Sequence, residues 1–147
     1  MDSDFRRITL PARTDQLGAC FAFLNEGSKL AQLGIEDTAR LDLLIEELFM
    51  NVARHAYPTG QEGSVELGWA VPRPGELHFT ISDWGSRFNP LDRGPHDFSP
   101  SLAERPLGGM GIFLIKTIAD SLEYEWKEGR NLLSFRYLAA RAADGAS

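Results

Sequence analysis

Cysteine is almost absent from this chain of 147 residues, which has only Cys20. An internal disulfide is therefore excluded, and a reducing cytoplasm fits the composition. No apolar run approaches the length of a membrane span, and the first residues lack a basic segment followed by an apolar one. We therefore expect a cytoplasmic protein that does not bind membranes. Cys20 lies in an apolar helical stretch, where it is expected to fill the core.

Long runs of basic residues are also missing, and the formal net charge is -6. Nucleic-acid binding is disfavoured, because its affinity rests largely on the neutralisation of phosphates. Hydrophobic residues make up 43% of the chain, which is enough for a packed core. The length predicts one domain, which we place at residues 1–138, followed by a flexible tail at residues 139–147.

Hydrophobic periodicity and turn residues predict an α+β fold. Helices are expected at residues 14–33 and 36–57, with Thr14 capping the first and Gly34 ending it. Strands are expected at residues 6–10, 64–71, 76–83, 123–127 and 132–137. Helices early in the chain and strands late favour a mostly antiparallel mixed sheet with helices on one face.

The second predicted helix carries a row of polar residues beside an apolar stripe. The stripe consists of Leu41, Leu44, Ile45, Leu48 and Val52. At about 100° per residue, neighbours in the row Glu47, Asn51 and His55 are offset by only about 40°. Glu46 points about 140° away from Asn51, so Glu47 is the better candidate for chemistry beside Asn51. The alternative is that Glu47 and Asn51 are surface residues sharing a hydrogen bond.

Asp83 ends a predicted strand on its apolar side. Alternation places it on the same face as Phe79 and Ile81, and a buried carboxylate needs hydrogen-bond donors or a ligand. An exocyclic amine such as that of adenine would suit it. Gly85, two residues later, would allow close approach of the backbone. The alternative is that Asp83 only begins a turn with Trp84 and Gly85, where aspartate is common.

A glycine-rich segment opens a third predicted helix at residues 111–121 and follows a long polar stretch. The segment consists of Gly108, Gly109, Met110 and Gly111. Its backbone N–H groups lie at a helix N-terminus, where anions bind, and Arg105 is a candidate phosphate partner from the preceding stretch. That stretch is long enough to be a functional lid or disordered. Considered alone, such glycines are more often a flexible lead into a helix.

These three segments, in this order, resemble the GHKL ATPase superfamily, which includes gyrase-type ATPases and histidine kinases. Residues 47–57 are similar to its N box, 81–90 to its first glycine box and 108–115 to its second. The closer resemblance is to the bacterial anti-sigma-factor serine/threonine kinases. Two departures are Arg87, in place of a glycine, and Asn131, which would replace the polar contact of a threonine.

The resemblance implies the Bergerat ATP-binding fold, a two-layer α/β sandwich. It implies that Asn51 helps to coordinate Mg²⁺ on the ATP phosphates, that Glu47 is the general base and that Asp83 binds the adenine amine. Gly85 would line the base pocket, and the glycine-rich segment would bind the phosphates beneath the lid. His55 matches the family and would either contact phosphate or make a structural hydrogen bond, the role that we favour.

Three functions follow from this resemblance. The first is an ATP- and Mg²⁺-dependent serine/threonine protein kinase that acts as an anti-sigma factor in transcription regulation. It would phosphorylate a small STAS-type anti-anti-sigma protein and, when free of it, sequester a sigma factor or another effector. The second is a nucleotide-gated binding module with little or no kinase activity, and the third is a detached ATPase module of a larger signalling complex. The resemblance also suggests a homodimer, formed through the first strand and helix.

Overall fold

The computed structural model describes residues 5–87 and 120–139, which form a sheet with helices packed against it. The strands are β1 (Arg6–Pro11), β2 (Ser64–Arg73), β3 (Glu76–Asp83), β4 (Ser121–Lys127) and β5 (Arg130–Leu138). The helices are α1 (Leu17–Leu30), which follows a 3₁₀ turn at Thr14–Gln16, and α2 (Ile35–His55). Within these described ranges, no helix is long and apolar enough to cross a membrane.

The strands form one sheet in the order β1-β2-β3-β5-β4. Each pair of neighbours in this sheet is antiparallel. This order puts β3 at the centre of the sheet, flanked by β2 and by β5, which is not its neighbour in sequence. The α+β class predicted from the sequence, with helices layered on a mostly antiparallel sheet, is confirmed.

The core lies between the sheet and the two helices. The predicted apolar stripe of α2 is confirmed, and its buried members are Leu41, Leu44, Ile45, Leu48 and Val52. Phe79 on β3 and Phe135 on β5 contribute neighbouring rings from the sheet, with centroids 5.2 Å apart. Cys20 on α1 is fully buried in this core, and burial raises the pKa of its thiol to about 12. The expected core-filling role of Cys20 is therefore confirmed.

Two tight turns connect the strand pairs. The β2–β3 turn is Pro74-Gly75, where Gly75 has a φ of 88°. Gly75 also donates its N–H to the carbonyl of Ala31 at 2.7 Å, and its own carbonyl accepts the N–H of Ala139 at 2.7 Å. Ala139, the first residue of the predicted tail, is thus hydrogen-bonded to the hairpin. The β4–β5 turn contains Gly129, as predicted.

Two predicted helix ends are wrong. Thr14 lies in the 3₁₀ turn, and no side-chain capping bond is made at the start of that turn or of α1. Helix α1 ends at Leu30, before Gln32, which takes the left-handed conformation with a φ of 60°. Gly34 is instead the N-cap of α2, and its carbonyl accepts the N–H of Thr38 at 3.0 Å.

The N-terminal end of α2 is fixed to β5 by Tyr137. This tyrosine is 2% exposed and donates its hydroxyl to the carboxylate of Asp37, in the first turn of α2. Burial, together with the hydrogen bond to Asp37, raises the pKa of Tyr137 to about 12. The start of α2 is therefore held at the end of the sheet where β3 begins and β5 finishes.

Glu76, the first residue of β3, is a buried carboxylate with two partners. It is 3% exposed, with Arg73 Nε 2.7 Å from Oε1 and His78 Nε2 2.6 Å from Oε2. Burial by itself would raise the pKa of Glu76. The hydrogen bonds to His78 and Arg73 outweigh burial and hold the pKa of Glu76 below its ordinary value of 4.5.

This lowered pKa predicts an acid-sensitive contribution to stability. A carboxylate of this kind stabilises the fold above its unfolded-state pKa, and the contribution is lost as the pH falls through its native pKa. We expect Glu76→Gln to lower the free energy of unfolding by about 1–2 kcal/mol at neutral pH and to have less effect in acid. Urea denaturation at neutral pH and at about pH 3 measures this difference. If the wild type and Glu76→Gln differ by the same free energy of unfolding at both pH values, this prediction is contradicted.

Candidate functional site

Asp83 is the last residue of β3 and is almost completely buried, at 3% exposed. Its neighbours across the strands are Val65 on β2 and Asn131 on β5. Two donors reach its Oδ1 atom, the N–H of Gly85 at 2.9 Å and the side-chain amide of Asn131 at 3.0 Å. The prediction of a buried carboxylate with hydrogen-bond donors is confirmed. The bond from Gly85 also forms the turn that was the alternative interpretation, so the turn and the buried carboxylate coexist.

Asn131 links Asp83 to the loop after β3 and to β4. It is 5% exposed, and its Nδ2 atom also donates to the carbonyl of Ser86 at 2.8 Å. Its Oδ1 atom accepts the hydroxyl of Tyr124 at 2.6 Å. Asn131 thus holds Asp83, the loop and Tyr124 together, and its replacement of a threonine contact stays a prediction. Tyr124 was not predicted, although alternation along β4 places it on the inner face of the sheet.

The loop after β3 touches the C-terminal end of α2 at Gly85. A Cβ atom at this position would lie 2.1 Å from the backbone oxygen of Ala56, which follows the last residue of α2. Close backbone approach was predicted at Gly85, and in the described structure its partner is the backbone of Ala56, at the C-terminal end of α2. This contact brings Asp83 beside the helix that carries Glu47 and Asn51.

Tyr57 makes a second link between α2 and β3. Its hydroxyl donates to the carbonyl of Ser64, at the start of β2, at 2.6 Å. The same hydroxyl accepts the N–H of Trp84, just after β3, at 2.8 Å. The ring of Tyr57 occupies the space beside Gly63, where a Cβ atom would come within 2.3 Å of it. The sequence did not identify Tyr57, because its partners depend on how α2 meets the sheet.

Glu47, Asn51 and His55 lie along one side of α2, and each is partly buried, whereas Glu46 is exposed. This is the arrangement that helical periodicity predicted. Counted back from Ala56 at about 1.5 Å per residue, Asn51 lies about 7.5 Å and Glu47 about 13.5 Å along the helix axis. The site is therefore elongated, with a buried carboxylate at one end and the Glu47–Asn51 pair towards the other.

The side-chain oxygen of Asn51 is buried and makes no hydrogen bond within residues 5–87 and 120–139. Buried polar atoms without a partner are rare and costly. Mg²⁺ takes few protein ligands, prefers oxygen, and completes its coordination shell with substrate phosphates and waters. The oxygen of Asn51 therefore fits the ion that the resemblance implies.

Comparison with known protein families identifies the family of this chain. The family described as Histidine kinase-like ATPase domain matches residues 10–137. The chain belongs to this family. The resemblance to GHKL ATPases that the sequence motifs indicated is therefore confirmed.

Curated relatives of this histidine kinase-like ATPase domain include two proteins named serine-protein kinase RsbW. The protein from Oceanobacillus iheyensis is 23% identical over 146 residues, which cover 96% of this chain and 91% of that protein. The protein from Listeria monocytogenes is 24% identical over 135 residues, which cover 89% of this chain and 85% of that protein. The resemblance to the anti-sigma-factor kinase branch is thus confirmed along most of the domain.

The ATPase domain is also similar to a solved structure, the RsbU and RsbW domains of Rv1364c from Mycobacterium tuberculosis. The TM-score is 0.62 with 16% sequence identity, and the match covers 91% of this chain and 32% of that chain. This chain therefore spans about a third of the length of that structure. At this identity the likeness concerns the fold, and it confirms the histidine kinase-like architecture.

The predicted phosphate-binding part of the ATPase domain lies outside the described residues. It comprises Arg105, Gly108, Gly109, Met110 and Gly111, together with the predicted lid. The predicted third helix falls there too, except for its last two residues. Asp120 forms a bend, and Ser121 is the first residue of β4, so the predicted end of this helix at Ser121 is wrong.

On the outer face of the ATPase domain's sheet, Arg130 supports the same end of β3. It donates to Glu66 Oε1 at 3.0 Å, and its guanidinium carbon lies 6.0 Å from the centre of the Trp84 ring. Both members of the ion pair are about a quarter exposed, with 23% for Arg130 and 27% for Glu66. The loop after β3 is therefore held from both faces of the sheet, by Tyr57 on one and Arg130 on the other.

Gly85→Ala is expected to disrupt the junction between this loop and α2. The new methyl group would overlap a backbone oxygen of Ala56, which cannot rotate away, so we expect a loss of about 3 kcal/mol in the free energy of unfolding. Gly18→Ala is the matched control, because a Cβ atom there meets nothing within 4 Å and alanine favours the helix. Urea denaturation compares the two variants with the wild type. Wild-type stability of Gly85→Ala would show that the junction is not tight.

Proposed function

We propose that this chain is an ATP- and Mg²⁺-dependent serine/threonine protein kinase that acts as an anti-sigma factor. The observation that carries this proposal is the side-chain oxygen of Asn51, which is buried without a hydrogen bond in the described ranges of the chain. It lies one helical turn from Glu47 and on the same side of α2. An oxygen in this position needs a partner, and a metal ion bound with nucleotide would supply it. The names of the two relatives support the kinase activity.

At the base-binding end, Asp83 would accept the exocyclic amine of adenine. The carboxylate is already held by the N–H of Gly85 and the amide of Asn131, so its orientation is fixed. Gly85 would line the base pocket at its contact with α2. The proposed phosphate contacts come from Arg105 and from the backbone N–H groups of residues 108–111.

At the transfer end, Asn51 would hold Mg²⁺, which neutralises charge on the ATP phosphates when it is bound. Glu47 would take the proton from a serine or threonine hydroxyl of the partner protein. The hydroxyl oxygen then forms the bond to the γ-phosphorus, and ADP leaves. Such a reaction depends on positioning and charge neutralisation, which a row of side chains on one helix can provide. His55 continues this row, and we assign it a structural hydrogen bond.

The phosphoryl acceptor in this proposal is a small STAS-type anti-anti-sigma protein. When that protein is phosphorylated or absent, the kinase would sequester a sigma factor or another effector. We further propose that residues 1–138 form one functional unit, with residues 139–147 as a tail. A homodimer would be formed through β1 and α1.

Phosphate transfer from labelled ATP tests the proposal directly. The purified protein is incubated with γ-labelled ATP, Mg²⁺ and a STAS-type protein encoded beside its gene. We expect label on a serine or threonine of the STAS-type protein, and its loss when EDTA removes the metal. ATP binding without transfer would instead support the nucleotide-gated binding module. A protein that binds no adenine nucleotide would overturn both functions.

A further inference from the structure

Tyr124, on the edge strand β4, is connected to Asp83 through a single side chain. Its hydroxyl donates to Asn131 Oδ1 at 2.6 Å, and Asn131 Nδ2 donates to Asp83 Oδ1 at 3.0 Å. The second hydrogen of Nδ2 goes to the carbonyl of Ser86 at 2.8 Å. Tyr124, Asn131 and Asp83 thus form a chain of hydrogen bonds from the edge of the sheet to the carboxylate, which we call the tyrosine–amide relay.

The partners of Asn131 allow only one orientation of its amide group. Asp83 Oδ1 and the carbonyl of Ser86 are both acceptors, so they require the nitrogen, and the hydroxyl of Tyr124 donates to the oxygen. A flipped amide would set its oxygen against a carboxylate and a carbonyl. The orientation matters because Asn131 is 5% exposed, so water offers little compensation for a lost bond.

We infer that Tyr124 is a positioning residue that sets the preference of the site for adenine by fixing Asn131, and through it Asp83. This inference rests on the proposed function, in which Asp83 accepts the adenine amine. Tyr124 itself would not touch the nucleotide. Its hydroxyl holds the oxygen side of the Asn131 amide in place, so that the nitrogen stays on Asp83 Oδ1 and keeps the carboxylate turned for the base.

A fixed carboxylate at this position distinguishes two purines that differ at one group. Adenine presents an amine, which donates to a carboxylate, whereas hypoxanthine presents a carbonyl oxygen, which is repelled by it. A site built to pair a buried polar group discriminates strongly against an analogue that leaves the group unpaired. When the relay is broken, Asp83 loses part of its alignment, and the discrimination between the two bases should fall.

The experiment compares the affinities for ATP and for ITP, which carries hypoxanthine, by equilibrium binding in the presence of Mg²⁺. We expect Tyr124→Phe to lower the ratio of ATP affinity to ITP affinity about three- to tenfold, mainly because the binding of ATP becomes weaker. The matched control is Tyr137→Phe, which removes a tyrosine hydroxyl that donates elsewhere in the fold, to the carboxylate of Asp37 at the far end of α2. It should reduce stability and leave this ratio unchanged.

A double-mutant cycle tests whether Tyr124 acts through Asn131. Asn131→Ala should lower the ratio at least as much as Tyr124→Phe, and the double variant should lower it no further. Thermal unfolding checks that each variant is folded. If Asn131→Ala does not fold, the inference is tested by the affinity ratios of Tyr124→Phe and Tyr137→Phe alone.

The possible outcomes separate this inference from the proposed function. Wild-type protein that does not bind ATP overturns both. Wild-type protein that prefers ATP while Tyr124→Phe keeps the same ratio overturns only the relay. If Tyr124→Phe weakens the binding of ATP and of ITP equally, the tyrosine has a purely structural role. If the effects of the two substitutions on the affinity ratio are fully additive in the double variant, Tyr124 does not act through Asn131. Either result overturns the inference.

Discussion

Glu47→Ala is expected to abolish most phosphate transfer while leaving ATP binding nearly unchanged. Loss of a general base typically costs 10² to 10⁴ in rate, on the order of 3–5 kcal/mol in the activation barrier. Glu47 lies about 13.5 Å along α2 from Ala56, far from the buried carboxylate at the other end of the site. Its removal should therefore not affect recognition of the base. Single-turnover transfer and calorimetric ATP binding measure the two effects separately.

The neighbouring Glu46 provides a matched control for this prediction. It is the same residue type one position earlier, but it is exposed, whereas Glu47 is partly buried beside Asn51. Glu46→Ala removes the same charge from the same helix and should leave transfer within about twofold of the wild type. Equal transfer by both variants would remove Glu47 from the mechanism, and loss of ATP binding by Glu47→Ala would give it a binding role instead.

Asp83→Asn is expected to weaken ATP binding about 10- to 100-fold, which corresponds to about 1.5–3 kcal/mol. The N–H of Gly85 and the amide of Asn131 would hold the oxygen of the new amide, as they hold Oδ1 of the carboxylate. The new NH₂ group would then present a donor to the adenine amine, which is itself a donor. Calorimetric titration with ATP measures the loss.

Asp37→Asn is the control for this second prediction. Asp37 is also a buried aspartate, at 9% exposed, but it lies at the opposite end of α2, where it accepts the hydroxyl of Tyr137. We expect this variant to change stability and to leave ATP affinity as in the wild type. Unchanged ATP affinity in Asp83→Asn would refute the assignment of Asp83 to the base.

The parts of the fold that periodicity controls could be predicted from the sequence. Helical spacing identified the buried stripe of α2 and the row Glu47, Asn51 and His55, because both depend only on rotation along one helix. Strand alternation identified Asp83 as a buried carboxylate for the same reason. Each of these features is decided by residues within one element.

Features that depend on contacts between distant segments were missed or wrong. Gly34 was expected to end α1, yet the carbonyl of Ala31 is satisfied by the N–H of Gly75, more than forty positions away, and the chain has already turned at Gln32. Likewise, the partner of Asn131 follows from the register that places it opposite Asp83. Sequence periodicity does not predict which residues of β3 and β5 lie opposite each other. Tyr57 could not be assigned for the same reason.

The double attachment of Tyr57 has a consequence for how a nucleotide would bind. One hydroxyl ties the start of β2 to the backbone just after β3, and Gly63 leaves room for the ring. The segment that bears Asp83 has therefore lost its conformational entropy on folding, before any purine arrives. Recognition of the base then needs little rearrangement, so more of the contact energy is available as affinity.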